Sequence, residues 1–254
     1  MKGNGRIIVF LVIVVVLVVF VLLNMTVFTI SSISVENEVY SAYIDQASII
    51  DASGITKGKN IFFLSESNSS EAIEKAFPYL KVSNIERKFP SKVVIHVDVR
   101  QGTMSIPAAE ENVYAIVDGD LKILELVSID TPVYASATHV TGVSLESPVI
   151  GTTLSTDVNY NACLYTLSQV AKGEGLEFAG FFAAIRFETD NLYVTLRTGV
   201  TIRIDNWKSV DVMEHLRYAL AKYKSLDEQD YRRRQGYIYF DSSLGWNWRS
   251  DDLD

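Results

Sequence analysis

Residues 7–23 are seventeen consecutive apolar residues with no polar or charged interruption, and nothing else in the 254-residue chain limits its fold as strongly. As a helix rising about 1.5 Å per residue the run covers roughly 26 Å, close to the hydrocarbon thickness of a bilayer. Met25, Val27 and Phe28 extend it. β-branched Val dominates and no face is polar, which argues against a buried core helix. The pattern predicts a transmembrane helix over residues 7–28. Lys2 and Arg6 precede it and no Lys or Arg follows before Lys57. The positive-inside rule then puts residues 1–6 in the cytoplasm and the rest of the chain outside the cell, as a single-pass protein of the cell membrane. A cleaved signal peptide is the competing reading. Against it stand the length of the run, beyond the usual ~7–15 residues, and the segment Leu22-Leu23-Asn24-Met25-Thr26, which offers no small-x-small cleavage site.

The remaining residues have the composition of an ordinary globular protein. At 48% hydrophobic and 21% charged overall, the chain is neither disordered nor collagen-like. Net charge is −8, which argues against a nucleic-acid partner, because phosphate binding needs a basic face. The imbalance sits in the second half: residues 103–254 hold thirteen Lys and Arg against twenty-two Asp and Glu. Cys163 is the only cysteine, so neither an internal disulfide nor a thiolate metal cluster can form within the chain.

Beyond the apolar run, Phe28, Ile30, Ile33 and Val35 mark a strand. Tyr40, Tyr43, Ile44, Ala47 and Ile50 fall at helical spacing, with Ser41 as the cap and Gly54 as the stop. Residues 61–64, Ile-Phe-Phe-Leu, are short and apolar and are expected to be buried. A second helix is expected from Asn68, capped by that residue with Glu71 reaching back, and ending at Pro78. Two strands follow over residues 82–89 and 93–99. In the second, Val93, Ile95, Val97 and Val99 point inward, alternating with Val94, His96, Asp98 and Arg100. The order is β, α, α, β, β.

After residue 102 the pattern changes to hairpins. Residues 113–117 and 121–124 flank Asp118-Gly119, a dipeptide whose ready positive φ suits a tight turn. Leu164, Leu167, Val170 and Ala171 mark a helix closed by Gly173. Strands are expected at residues 184–187, 192–197 and 200–204, a helix at 209–223, and a last strand at 237–240.

Little in this pattern points to catalysis. His96, His139 and His215 have no second His or carboxylate at ligand spacing, and neither HExxH nor GxSxG occurs. Gly173-Glu174-Gly175 follows a helix and reads as a helix stop, not a nucleotide loop. Cys163 reads as a small core residue. Arg232-Arg233-Arg234 is nearly neutralised by Asp227, Glu228 and Asp230 and reads as a solvated loop. No cofactor site, metal site or catalytic residue is assigned.

Two features point instead to recognition. Tyr237, Ile238, Tyr239 and Phe240 form a β-prone segment read as an edge strand, whose unpaired backbone groups accept a partner strand. The segment after it carries Trp246 and Trp248, large aromatics of the kind that anchor interfaces. Packing of both Trp back onto their own domain is the open alternative.

Several segments together resemble the FtsQ/DivIB family of bacterial cell-division proteins. They are Ser-Ile-Ser-Val at 32–35, Ser53-Gly54-Ile55 with Gly58-x-Asn60-Ile61-Phe62, and Phe77-Pro78-Tyr79-Leu80. Ile85-Glu86-Arg87-Lys88-Phe89-Pro90 and Val94-Ile95-His96-Val97-Asp98-Val99 complete the set. They resemble a POTRA module, the polypeptide-transport-associated fold. Ile116-Val117-Asp118-Gly119-Asp120 and Gly236-Tyr237-Ile238 continue the likeness beyond it.

The resemblance implies an α+β protein in five parts: a cytoplasmic tail (1–6), a transmembrane helix (7–28), a POTRA domain (29–102), a mixed β domain with flanking helices (103–248) and a C-terminal tail (249–254). It implies a non-enzymatic divisome scaffold at the division septum. Its partners are small single-span coiled-coil proteins, FtsB/DivIC-like and FtsL-like, bound by strand addition, with an influence on septal peptidoglycan synthesis. Ser242, Ser243, Phe240 and Trp246 match the family's partner-binding positions, and Arg87, Lys88 and Phe89 a second contact. The alternatives are a membrane-anchored cell-wall enzyme and a POTRA protein that handles translocated polypeptides. The second of these usually comes with repeated modules or a barrel, and neither pattern occurs here.

Overall fold

The computed structural model describes residues 4–37 and 45–251, with no side chain described at 4–7, 23–25 and 37. The chain divides into two compact units, Met1–Arg100 and Gln101–Asp254, each with its own apolar core.

The first unit opens with helix α1 (Asn4–Thr26). The membrane span expected over residues 7–28 is corrected here: among the described residues no helix is long and apolar enough to cross a membrane. The described apolar side chains of α1 run from residue 8 to residue 22. The cytoplasmic tail and single-pass topology inferred from the span lose their basis with it.

The rest of the unit follows the expected βααββ order. β1 (Ser32–Asn37) leads to α2 (Gln46–Ala52), α3 (Glu66–Ala76), β2 (Leu80–Lys88) and β3 (Lys92–Val99). The sheet order is β1-β3-β2, with β3 parallel to β1 and antiparallel to β2. β3 takes the centre because its alternation is strongest: Val93, Ile95 and Val97 are all but fully buried. Val99, expected with them, is exposed at the strand's end, whereas Val94 on the other face is buried. A bulge between Val82 and Asn84 shifts the parity of β2, so Leu80 and Ile85 both point inward despite their odd spacing.

Three local expectations change. The first helix falls partly on residues 38–44, outside those described; its described part starts after Asp45, and Ile49 is its buried residue. α3 is capped by Ser65, whose hydroxyl accepts from Asn68 N–H at 3.4 Å, so Asn68 lies inside the helix and does not cap it. In the segment 61–64 Ile61 is fully buried, but Phe62 and Phe63 are exposed, because residues Ile61–Phe63 form a 3-10 turn that directs them outward. Gly54 ends α2 at φ +66°, in the left-handed position expected of it.

The second unit is one nine-stranded sheet with helices. Its first elements are β4 (Met104–Pro107), β5 (Tyr114–Val117), β6 (Ile123–Val127), α4 (Pro132–Ser136) and β7 (Thr138–Thr141). α5 (Val158–Gly173), α6 (Phe178–Phe181), β8 (Phe182–Phe187), β9 (Asn191–Leu196) and β10 (Thr201–Asp205) follow. α7 (Val212–Ser225), β11 (Tyr237–Asp241) and β12 (Gly245–Arg249) complete it. The spatial order is β12-β11-β10-β9-β8-β7-β4-β5-β6.

Leu164, Leu167 and Val170 of α5 and Leu216, Ala219 and Leu220 of α7 belong to the same buried cluster as Ile185, Val194, Ile202 and Ile238 of the strands. The Asp118-Gly119 turn differs from expectation. The positive φ falls on Leu121 (+64°), whose side chain is buried. Asp118 holds the loop by accepting from the N–H groups of Asp120 and Lys122 at 3.0 and 2.7 Å. Gly119 is needed for closeness instead: its carbonyl accepts from Ser168 Oγ of α5 at 2.8 Å, and a Cβ would stand 2.7 Å from that oxygen.

Candidate protein-interaction edge

α7 sets up one end of the large sheet. Asp211 caps it by accepting from Glu214 N–H at 3.1 Å, and Lys222 and Lys224 suit its negative end. Its buried stripe, Leu216, Ala219, Leu220 and Tyr223, lies on the core side. Beside it β11 pairs with β10 in parallel at Thr201↔Tyr237 and Ile202↔Ile238, and with β12 antiparallel along its whole length.

This arrangement corrects the expectation that residues 237–240 form the open border. β11 is covered on both sides, and the border belongs to β12, which the sequence reading took as a tail. Asp241 explains the reversal. Its carboxylate accepts from Ser243 Oγ at 2.7 Å, Ser243 N–H at 2.8 Å and Leu244 N–H at 3.0 Å, and Gly245 follows at φ +71°. These bonds, the Ser243 hydroxyl first, hold the Asp241 carboxyl below the usual carboxylate range. The chain is thus turned back on itself, and β12 lies against β11.

The two faces of the β11–β12 hairpin differ. Register puts Phe240 opposite Trp246 and Ile238 opposite Trp248. Ile238 is fully buried, and both Trp rings pack in part against the same core. His215 of α7, Phe240 and Trp246 form an aromatic triangle with centroids 5.7 to 6.2 Å apart. Trp248 meets Tyr231 edge-on at 5.6 Å and donates its indole N–H to the Gln235 carbonyl at 3.0 Å. Phe240 and Leu244 remain exposed. The opposite face carries Tyr237, Tyr239, Asn247 and Arg249, again in register.

The structure therefore brings Phe240 and Trp246 together, sets Ser242 and Ser243 in the turn beside them, and leaves Tyr237, Ile238 and Tyr239 one strand inside the border. Sequence reasoning missed Asn247 and Arg249 as border residues. Trp246 and Trp248 alternating with them was the available signal.

The second group lies in the first unit. Arg87 donates to the Leu64 carbonyl at 2.8 Å, and its Nε lies 2.9 Å from Glu66 Oε1, an ion pair in which the N–H is not aligned for a hydrogen bond. Lys88 is 3.3 Å from Glu86. The exposed ring of Phe89 lies 5.2 Å from Phe62 and 6.4 Å from Phe28.

Ser105 and His139 form a polar pair of a kind that catalysis uses, Oγ to Nδ1 being 2.9 Å. Ser105 is only 1% exposed, and Tyr134 stacks on the imidazole at 4.5 Å, so the pair is a structural bond closed to substrate. Among the described residues no group of three or more His, Cys, Asp or Glu is placed to hold a metal ion. Burial pushes the Cys163 thiol up to about 12.

Residues 28–98 match the family of FtsQ-type POTRA domains. No curated protein matches the chain. The chain therefore carries an FtsQ-type POTRA domain in its first unit and a mixed β domain in its second. That domain type fits a scaffold role in cell division built on protein–protein interaction.

Proposed function

We propose that the chain belongs to the FtsQ/DivIB family and acts as a non-enzymatic scaffold at the division septum. It binds FtsB/DivIC-like and FtsL-like coiled-coil proteins and so helps control septal peptidoglycan synthesis. The FtsQ-type POTRA domain at residues 28–98 supports the family. The observation that carries the mechanism is the border of β12 at the end of the large sheet, beyond which no strand pairs among the described residues.

A partner strand laid along Gly245–Arg249 gains backbone hydrogen bonds that tolerate many sequences, and its alternate side chains meet two different faces. On one face they meet Trp246, Phe240 and Leu244, an apolar surface; on the other they meet Asn247 and Arg249. Trp248 N–H donates to its neighbour's Asn247 Oδ1 at 3.0 Å, a local bond that an incoming carbonyl can replace. Tyr237, Ile238 and Tyr239 support the border from one strand behind, and Ser242 and Ser243 shape the turn at its end. Arg87, Lys88 and Phe89 serve as a second contact.

Trp246→Ala tests the reading by its affinity for the FtsB/DivIC-like partner. Truncation of a half-buried aromatic anchor is expected to weaken binding by about 2 kcal/mol, close to thirtyfold. Unchanged affinity removes the site.

A further inference from the structure

Three aromatic rings gather at one end of the first unit. Phe28, just before β1, lies 5.0 Å from Phe62 of the 3-10 turn and 6.4 Å from Phe89 of the β2–β3 loop, and Phe62 and Phe89 are 5.2 Å apart. The backbone holds these segments together: Ile61 N–H donates to the Phe28 carbonyl at 2.9 Å, and Ser31 N–H to the Ser91 carbonyl at 2.8 Å. Phe62 and Phe89 are half exposed, and Phe63, next in the chain, is 87% exposed. A single exposed ring is ordinary, but a cluster of them marks a contact surface for protein or for membrane.

The charges around the rings choose between the two. Residues 27–35, 57–65 and 87–92, the segments that meet at this end, carry five Lys and Arg and no Asp or Glu, in a chain of net charge −8. Arg87 is engaged by Glu66 and Lys88 by Glu86. Lys57, Lys59 and Lys92 are exposed and form no ion pair among the described residues. Protein interfaces are depleted in Lys, whereas an anionic headgroup layer attracts it. Apolar rings beside such lysines bury at the boundary between headgroups and acyl chains.

α1 supplies continuity. Its described side chains from residue 8 to residue 22 are apolar and exposed on every side, and it ends at Thr26, two residues before Phe28. The medium that covers those side chains therefore adjoins the rings. We infer that this end of the first unit rests on the surface of an anionic phospholipid bilayer, with the four phenylalanines at the headgroup–acyl boundary and Lys57, Lys59 and Lys92 on lipid phosphates. The contact calls for no segment that crosses the bilayer. It is independent of the β12 border, and a partner seated on Phe89 would compete with lipid for that ring.

The test uses the full chain with the environment-sensitive dye NBD attached at Phe63→Cys, the buried Cys163 thiol being unreactive. A second protein carries the dye at Lys75→Cys, in the last turn of α3. Vesicles are phosphatidylcholine alone or mixed with phosphatidylglycerol, with or without nitroxide-labelled lipid. On the anionic vesicles the dye at position 63 is expected to shift to the blue and to be quenched by the nitroxide, and the dye at position 75 to do neither. Lys57→Gln with Lys59→Gln and Lys92→Gln should cut the quenching by roughly threefold or more, and Phe62→Ser with Phe89→Ser should abolish it. All these changes are at exposed side chains, and an unchanged circular dichroism melt shows that the variants fold. Trp246→Ala should leave the quenching intact, which separates this surface from the β12 border. No shift at position 63, equal quenching at position 75, or quenching indifferent to phosphatidylglycerol or to the lysine changes each overturns the inference. So does a blue shift that grows with protein concentration in the absence of vesicles, which would put a second copy of the chain on the rings.

Discussion

Phe240 on β11 and Trp246 on β12 face each other across the hairpin with ring centroids 5.8 Å apart and planes at 61°. The pair is half open: Phe240 is 50% exposed, while Trp246 leans on His215 of α7. Such edge-to-face rings contribute about 0.5–1.5 kcal/mol beyond their burial. Phe240→Ala should therefore lower stability by only about 1 kcal/mol, read as a small shift in a urea midpoint. On the proposed reading, the same change should weaken binding of an FtsB/DivIC-like partner roughly tenfold. A large stability loss with unchanged binding would make Phe240 a core residue of the domain.

His139 gives the second unit a pH dependence. Burial, with the Arg197 guanidinium adding to it, holds its pKa below the ordinary histidine value. The unfolded chain therefore binds the proton more readily than the folded one. The contribution is complete above the unfolded value of about 6.5 and is lost as pH falls through the lower folded value. Urea unfolding between pH 5 and pH 8 should show stability rising with pH toward neutrality, and His139→Gln should flatten that part of the curve.

Gly142 and Gly175 both have positive φ, at +81° and +67°, but differ in their surroundings. A Cβ on Gly142 would fall 1.9 Å from the Phe187 carbonyl oxygen, whereas Gly175 faces open space. Gly142→Ala should destabilise by about 3 kcal/mol or more, since the backbone itself must move. Gly175→Ala should be limited to the left-handed conformation, about 1–2 kcal/mol. Thermal melts of the two variants settle the ranking.

Cys163 should be silent toward iodoacetamide at pH 8 in the folded protein. Its thiol is buried in α5 and shifted to about 12, so almost no thiolate exists to react. Reaction should begin only with unfolding, and its rate against urea should follow the global transition. Fast labelling without denaturant would show that α5 opens on its own.

Much of the first unit was legible because Val93, Ile95 and Val97 of β3 alternate inward and Gly54 sits where a helix must stop. Direction was harder to read. Phe62 and Phe63 are apolar, and apolarity alone does not tell which way a 3-10 turn points them. In the second unit Leu121 takes the left-handed conformation because its side chain is worth burying, a tertiary gain that outweighs the local preference for Gly119. β12 was missed although its period of two is present in Trp246, Asn247, Trp248 and Arg249. Five residues after a Ser-Ser turn read as a tail until Asp241 is seen to fold them back. The open border was therefore assigned one strand too early.

The hairpin also determines what a shortened chain would offer. A chain cut before Gly245 does not lose an open sheet margin; it shifts that margin inward to Tyr237, Ile238, Tyr239 and Phe240. On the proposed reading such a fragment would offer extended peptides tyrosines in place of the tryptophan-bearing rim. If the border binds as proposed, loss of β12 by proteolysis near Leu244 would lower the selectivity of that binding.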